Sequence, residues 1–163
     1  MIYRPIGKTG MKASIIGLGA EHLDNRPYEV VDEVVSTALE QDINIIDVFM
    51  PGRPVRENIS KALKGRRNDV IIQGHIGSCD IREQYDRTRD VDISRKYFED
   101  LLRAFKTDYI DLGMMFFIDT EEDFKGAFET EYLTYVQNLK KEGKIRAIGA
   151  SSHDPEMAAR IVE

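Results

Sequence analysis

The chain has 163 residues, 42% hydrophobic and 32% charged, with a net charge of −6. This describes one soluble globular domain, residues 1–163, with room for a sizeable core. The acidic balance excludes general attraction to nucleic acid or to an anionic membrane, and a single cysteine, Cys79, excludes an intrachain disulfide or a cysteine metal cluster.

The start, MIYRPIGKTGMK, lacks the apolar core of a signal peptide, and no stretch reaches the length of a membrane span. A cytoplasmic protein is expected. IYRPI, GKTG and MKASI read as two short extended runs around a turn, a β-hairpin. Five apolar runs follow: SIIGLG (14–19), INIIDVFM (43–50), DVIIQGHI (69–76), YIDLGMMFF (109–117) and IRAIGASS (145–152). None alternates strictly, as expected of parallel strands covered on both faces.

Helical patterns separate these runs. Val31, Val34, Val35, Ala38 and Leu39 form one stripe. Pro54 opens a second helix, with Ile59, Ala62 and Leu63 inward and Gly65 stopping it. Glu57 stands one turn before Lys61 there, so the basic run GRPVRENISKALKGRR reads as a solvated face with an internal pair. Val91, Phe98, Leu101, Leu102 and Phe105 share one side of a third helix. Leu133, Val136 and Leu139 mark a fourth, ended by Gly143, and a fifth begins at Pro155.

Strand–helix alternation of this kind implies an α/β fold with a parallel sheet. An open doubly wound sheet fits the length, whereas a complete (β/α)₈ barrel takes about 250 residues. GLGA after the first strand lacks the third glycine of a dinucleotide-binding fingerprint, which weakens the open-sheet reading.

Several stretches together are similar to the aldo-keto reductase family: YRPIGKTGMKASIIGLGA, NIIDVFM, SKALKGRRNDVII, TDYIDLGMM and KKEGKIRAIGASSHDP. They run in order along nearly the whole chain. The resemblance implies an α/β fold that is a partial (β/α)₈ TIM barrel, five parallel strands with an N-terminal hairpin closing the bottom. It also implies an oxidoreductase that takes NADP(H) and a small-molecule carbonyl substrate at the C-terminal ends of the strands. In the family an Asp, a Tyr, a Lys and a His carry the proton chemistry, with the Tyr as general acid.

The resemblance places Asp47 at the carboxylate position. An Asp closing an apolar strand needs a partner in any case. Pro51, Gly52 and Arg53 occupy the turn where the phenol is implied, His75 the lysine position and Phe116 the histidine position. Asp47 and His75 are therefore the expected catalytic pair, and reduction of simple aldehydes with NADPH is expected to be slower than is typical of the family. Gly19 and Ala20, with Ser151 and Ser152 of GASSH, are implied at the nicotinamide end of the cofactor. The parts of the barrel that grip the adenosine and 2′-phosphate lie beyond the fifth strand. No metal site is expected.

His153 reads equally as a helix cap or a ligand contact, His22 as an exposed loop residue ahead of one facing the pocket, and Phe116, Met114 and Met115 as packing. The inner layer is expected to hold Ile16, Ile46, Ile72, Met114 and Ile148. Five strands leave two open edges, so self-association is expected. The alternative to an enzyme is a non-catalytic binding or regulatory module on a degraded barrel, or a fragment without activity of its own.

Overall fold

The structure, a computed structural model, describes residues 1–81 and 84–163. Strands β1 (Tyr3–Pro5) and β2 (Lys12–Ser14) pair antiparallel as the expected hairpin. The chain continues through β3 (Leu18–Gly19), α1 (Tyr28–Glu40), β4 (Ile45–Val48), α2 (Arg53–Ala62) and β5 (Ile71–Ile76). Next come β6 (Ser78–Ile81), β7 (Gln84–Arg87), α3 (Val91–Phe105), β8 (Ile110–Met115), α4 (Glu121–Phe128), α5 (Glu131–Lys141), β9 (Ile145–Ala150) and α6 (Pro155–Val162).

One five-stranded sheet runs β3-β4-β5-β8-β9, and each neighbouring pair in it is parallel. The strands follow one another in chain order, as in a barrel and not in a doubly wound sheet. Within these residues β3 and β9 are the two edges.

Period two divides the sheet into faces. Ile46, Val48, Ile72 and Ile76 join Val31, Val35, Val55, Ile59, Phe98 and Leu101 of the helices in the main core. On the other face Ile71, Leu112 and Ala147 pack with Ile45 and Met114, and Ile6, Met11 and Ala13 of the N-terminal hairpin cover them. The hairpin thus plugs the bottom of the sheet's inner face.

The inner layer expected from sequence needs correction. Ile46 and Ile72 face the helices, Ile148 packs against that same core, and Ile16 is 57% exposed. Asp47 faces inward, so its neighbour Ile46 must face outward; a period of two allows no other arrangement. The first strand is also shorter than SIIGLG. Ser14 Oγ donates to the Ile16 carbonyl, and Asn44 Oδ1 accepts from Ser14 N at 2.8 Å. These side-chain bonds turn the chain between hairpin and sheet in place of a strand ladder.

The helices bury the stripes read from sequence, with Tyr132 and Tyr135 added in α5. Glu57 pairs with Arg53 at 2.7 Å and not with Lys61, whose ammonium sits 3.5 Å over the Tyr28 ring.

Two elements had no counterpart in the sequence reading. One is α4, opened by a Thr120–Asp123 capping box. The other is the β6–β7 hairpin, which leaves β5 through Gly77 at φ +87. A side chain at Gly77 would press to 2.6 Å from the Thr88 carbonyl and 2.7 Å from the Tyr132 hydroxyl, so only glycine makes this turn.

Candidate active site

Asp47 lies opposite Gln73 in the β4–β5 register, and His75 follows two residues on, on the same face. Asp47 Oδ1 accepts from Gln73 Nε2 at 2.7 Å and stands 2.8 Å from His75 Nε2. The two residues expected as the catalytic pair therefore converge at the C-terminal strand ends. A carboxylate only accepts here, so Nε2 is the donor of this bond.

The imidazole is enclosed. Its side chain is 6% exposed against 34% for Asp47. Ring centroids of Phe49 and Phe116 lie 6.2 and 5.1 Å from it, and buried Nδ1 has no hydrogen-bond partner among the described residues. Asp47 is the member of the pair that meets the opening.

The loop after β4 is held from below. Arg56, 1% exposed, donates from Nε to the Met50 carbonyl at 2.9 Å and from an Nη to the Tyr97 carbonyl at 3.1 Å. Burial pulls its guanidinium down to about 10. Gly52 caps the start of α2, where the resemblance implies a phenol.

The β6–β7 hairpin stands beside this loop. Ser78 Oγ donates to the Phe49 carbonyl, Tyr97 donates to the Asp80 carbonyl at 2.9 Å, and Arg87 meets Asp123 at 2.6 Å. Between hairpin and loop runs a cleft of about 600 Å³, lined by Met50, Pro51, Gly52, Tyr85, Phe116 and Phe117 among others.

On the opposite side Gly19 pairs with Asp47 in register, and Ala20 N donates to the Asp47 carbonyl at 3.0 Å. Ser151 Oγ accepts from Phe117 N at 2.9 Å, which leaves its own hydrogen free to donate. Ser152 is differently engaged: its hydroxyl donates to Asp119 Oδ1 at 3.1 Å. His153 N and its ring Nδ1 also bond Asp119, at 2.6 and 3.0 Å. Burial pushes the Asp119 carboxyl up, but the His153 and Ser152 bonds together outweigh it and hold the group below its ordinary value. Asp154, not His153, caps α6, accepting from Met157 N at 2.8 Å. His22 is exposed in a short turn after β3.

Sequence reasoning missed Asp119, Arg56 and the hairpin residues. The Thr120-x-x-Asp123 spacing, a capping-box pattern, is the signal that could have found the start of α4.

The Aldo/keto reductase family model matches residues 15–163. Aldo-keto reductase YhdN of Bacillus subtilis is 31% identical over 166 residues, 96% of this chain and 48% of its own length. L-galactose dehydrogenase of Arabidopsis thaliana is 30% identical over 155 residues, covering 90% of this chain and 47% of its own. Among solved structures, the holo form of aldo-keto reductase AKR11C1 from Bacillus halodurans superposes with a TM-score of 0.84 at 27% identity, over 98% of this chain and 53% of its own. The chain spans about half the length of the curated relatives it matches, so its five-stranded sheet is part of a barrel. The chain belongs to the aldo/keto reductase family.

Proposed function

We propose that the protein is an NAD(P)H-dependent oxidoreductase acting on a small carbonyl compound, with its acid–base set changed from the family pattern. The observation that carries this reading is the Asp47–His75 pair, joined at 2.8 Å at the C-terminal ends of adjacent strands. Active sites of such barrels are built at that end.

The residues present fit the nicotinamide end of the cofactor. A side chain at Gly19 would meet nothing within 4 Å, which leaves an open face beside Asp47. Ser151 keeps a free donor for a carboxamide oxygen, while Ser152 serves through its backbone because its hydroxyl is bonded to Asp119. The cofactor, when bound, supplies a hydride. Asp47 anchors His75 and Gln73, fixes the imidazole tautomer and presents a carboxylate to the reacting region. Phe116 and Phe49 exclude water from the imidazole.

Titration of the intact protein with NADPH, followed by fluorescence, tests this reading. Saturable binding weakened by Ser151→Ala is expected; no binding would overturn it. The alternative of a non-catalytic binding module draws on Gly52 and Phe116, which supply no proton where the family uses Tyr and His. NADPH binding without turnover of any aldehyde would favour it.

A further inference from the structure

We propose that Tyr85, on β7 of the β6–β7 hairpin, is the proton donor to the substrate oxygen, a role resting on the oxidoreductase reading above. Adding a hydride to a carbonyl leaves an alkoxide, which needs a proton from a group in contact with the same cavity. His75 cannot reach it: Nε2 is turned to Asp47, and Nδ1 is sealed behind Phe49 and Phe116.

Tyr85 can. Its residue is 53% exposed, its ring packs edge-on against Phe49 at 5.2 Å, and it lines the same cleft as Gly52, Phe116 and Phe117. The phenols of Tyr3, Tyr28, Tyr97, Tyr109 and Tyr132 each donate to a protein oxygen. No protein partner engages the Tyr85 hydroxyl among the described residues, although an exposed aromatic ring is held in place beside the cleft. The hairpin is anchored on both sides, through Ser78 to the Phe49 carbonyl and through Arg87 to Asp123, so the ring stands on a fixed support. Gly52 lines the same cleft and adds no side chain to it.

The step balances. Hydride from NAD(P)H forms the C–H bond as the carbonyl π bond breaks, giving NAD(P)⁺. The Tyr85 O–H breaks and its proton completes the alcohol. The phenolate regains a proton from water at the open side of the cleft.

The test is steady-state reduction of benzaldehyde by NADPH in the intact protein and in Tyr85→Phe. The substitution is expected to lower kcat by roughly 10²-fold or more with NADPH affinity unchanged, and to abolish the alkaline fall of the kcat/KM profile. Equal kcat in both proteins, or NADPH binding by the wild type with no reduction at all, overturns the assignment of Tyr85. Failure of the wild type to bind NADPH brings down the oxidoreductase reading itself, and this proposal with it. Tyr3→Phe, which removes a phenol bonded to the Asp42 carbonyl near the bottom hairpin, should leave the rate unchanged.

Discussion

Asp47 and His75 meet through one 2.8 Å contact across the β4–β5 pair, and the carboxylate also holds Gln73. Two side chains of β5 are thus fixed by one carboxylate of β4. Asp47→Asn keeps the shape but removes the charge-assisted acceptor. We expect turnover in the intact protein to fall by roughly 10²-fold while far-UV circular dichroism is unchanged. An Asn variant as active as the wild type would exclude Asp47 from the chemistry.

A second strand aspartate has a different task. Asp111, 2% exposed at the start of β8, accepts from Ile72 N at 3.0 Å and pairs with Arg67 at 2.9 Å and Arg146 at 3.1 Å. Asp111→Ala leaves a backbone N–H and a half-buried guanidinium without their acceptor. Chemical denaturation should show a loss of about 3–5 kcal/mol. A loss under about 1 kcal/mol would mean that water or another acceptor replaces the carboxylate.

Arg56 ties the loop after β4 to α3 through the Met50 and Tyr97 carbonyls. Arg56→Met fills the space but leaves the Met50 carbonyl without its donor, while the Tyr97 carbonyl keeps its helical bond within α3. The expected cost is about 2–4 kcal/mol, with faster hydrogen exchange in the loop at 49–52 as the local signature. Unchanged exchange there would show that the loop is held by other contacts.

Acid should loosen the top of β8 and β9 together. Asp119 and Asp123 both have folded values held below the ordinary 3.8: burial raises each, and His153 and Ser152 at the one, Arg87 and Thr120 at the other, outweigh it. A depressed carboxyl contributes stability that is complete above its unfolded value and is lost as pH falls through the folded one. Stability should therefore be flat with respect to these groups above pH about 4 and decline below it. Asp119→Asn should remove part of that decline; an unaltered acid limb would deny the linkage.

A polypeptide of residues 1–163 prepared by itself keeps β3 and β9 as edges. Its inner face also lacks opposing side chains over part of the sheet, and each exposed apolar residue forgoes about 1.5–3 kcal/mol. We expect it to self-associate through these edges, as judged by light scattering. A monodisperse monomer that unfolds cooperatively would contradict this.

The local pattern of the chain determined most of its architecture. Apolar runs between amphipathic helices announced parallel strands in order, and an acid ending NIIDVFM announced a strand-end carboxylate, because buried Asp requires a partner. The partner was legible too: His75 stands on the next strand, two residues beyond Gln73, the register partner of Asp47, and on the same face. Tertiary structure alone decided which isoleucines face the helices, since the faces follow from Asp47 pointing inward and runs covered on both sides carry no alternation to reveal it. It alone placed Arg56 on two distant carbonyls and recruited Asp119 to the loop of His153. It also set Tyr85 beside the cleft, on a β6–β7 hairpin whose polar residues resemble an ordinary exposed loop. These are contacts between residues far apart in the chain, and no periodicity records them.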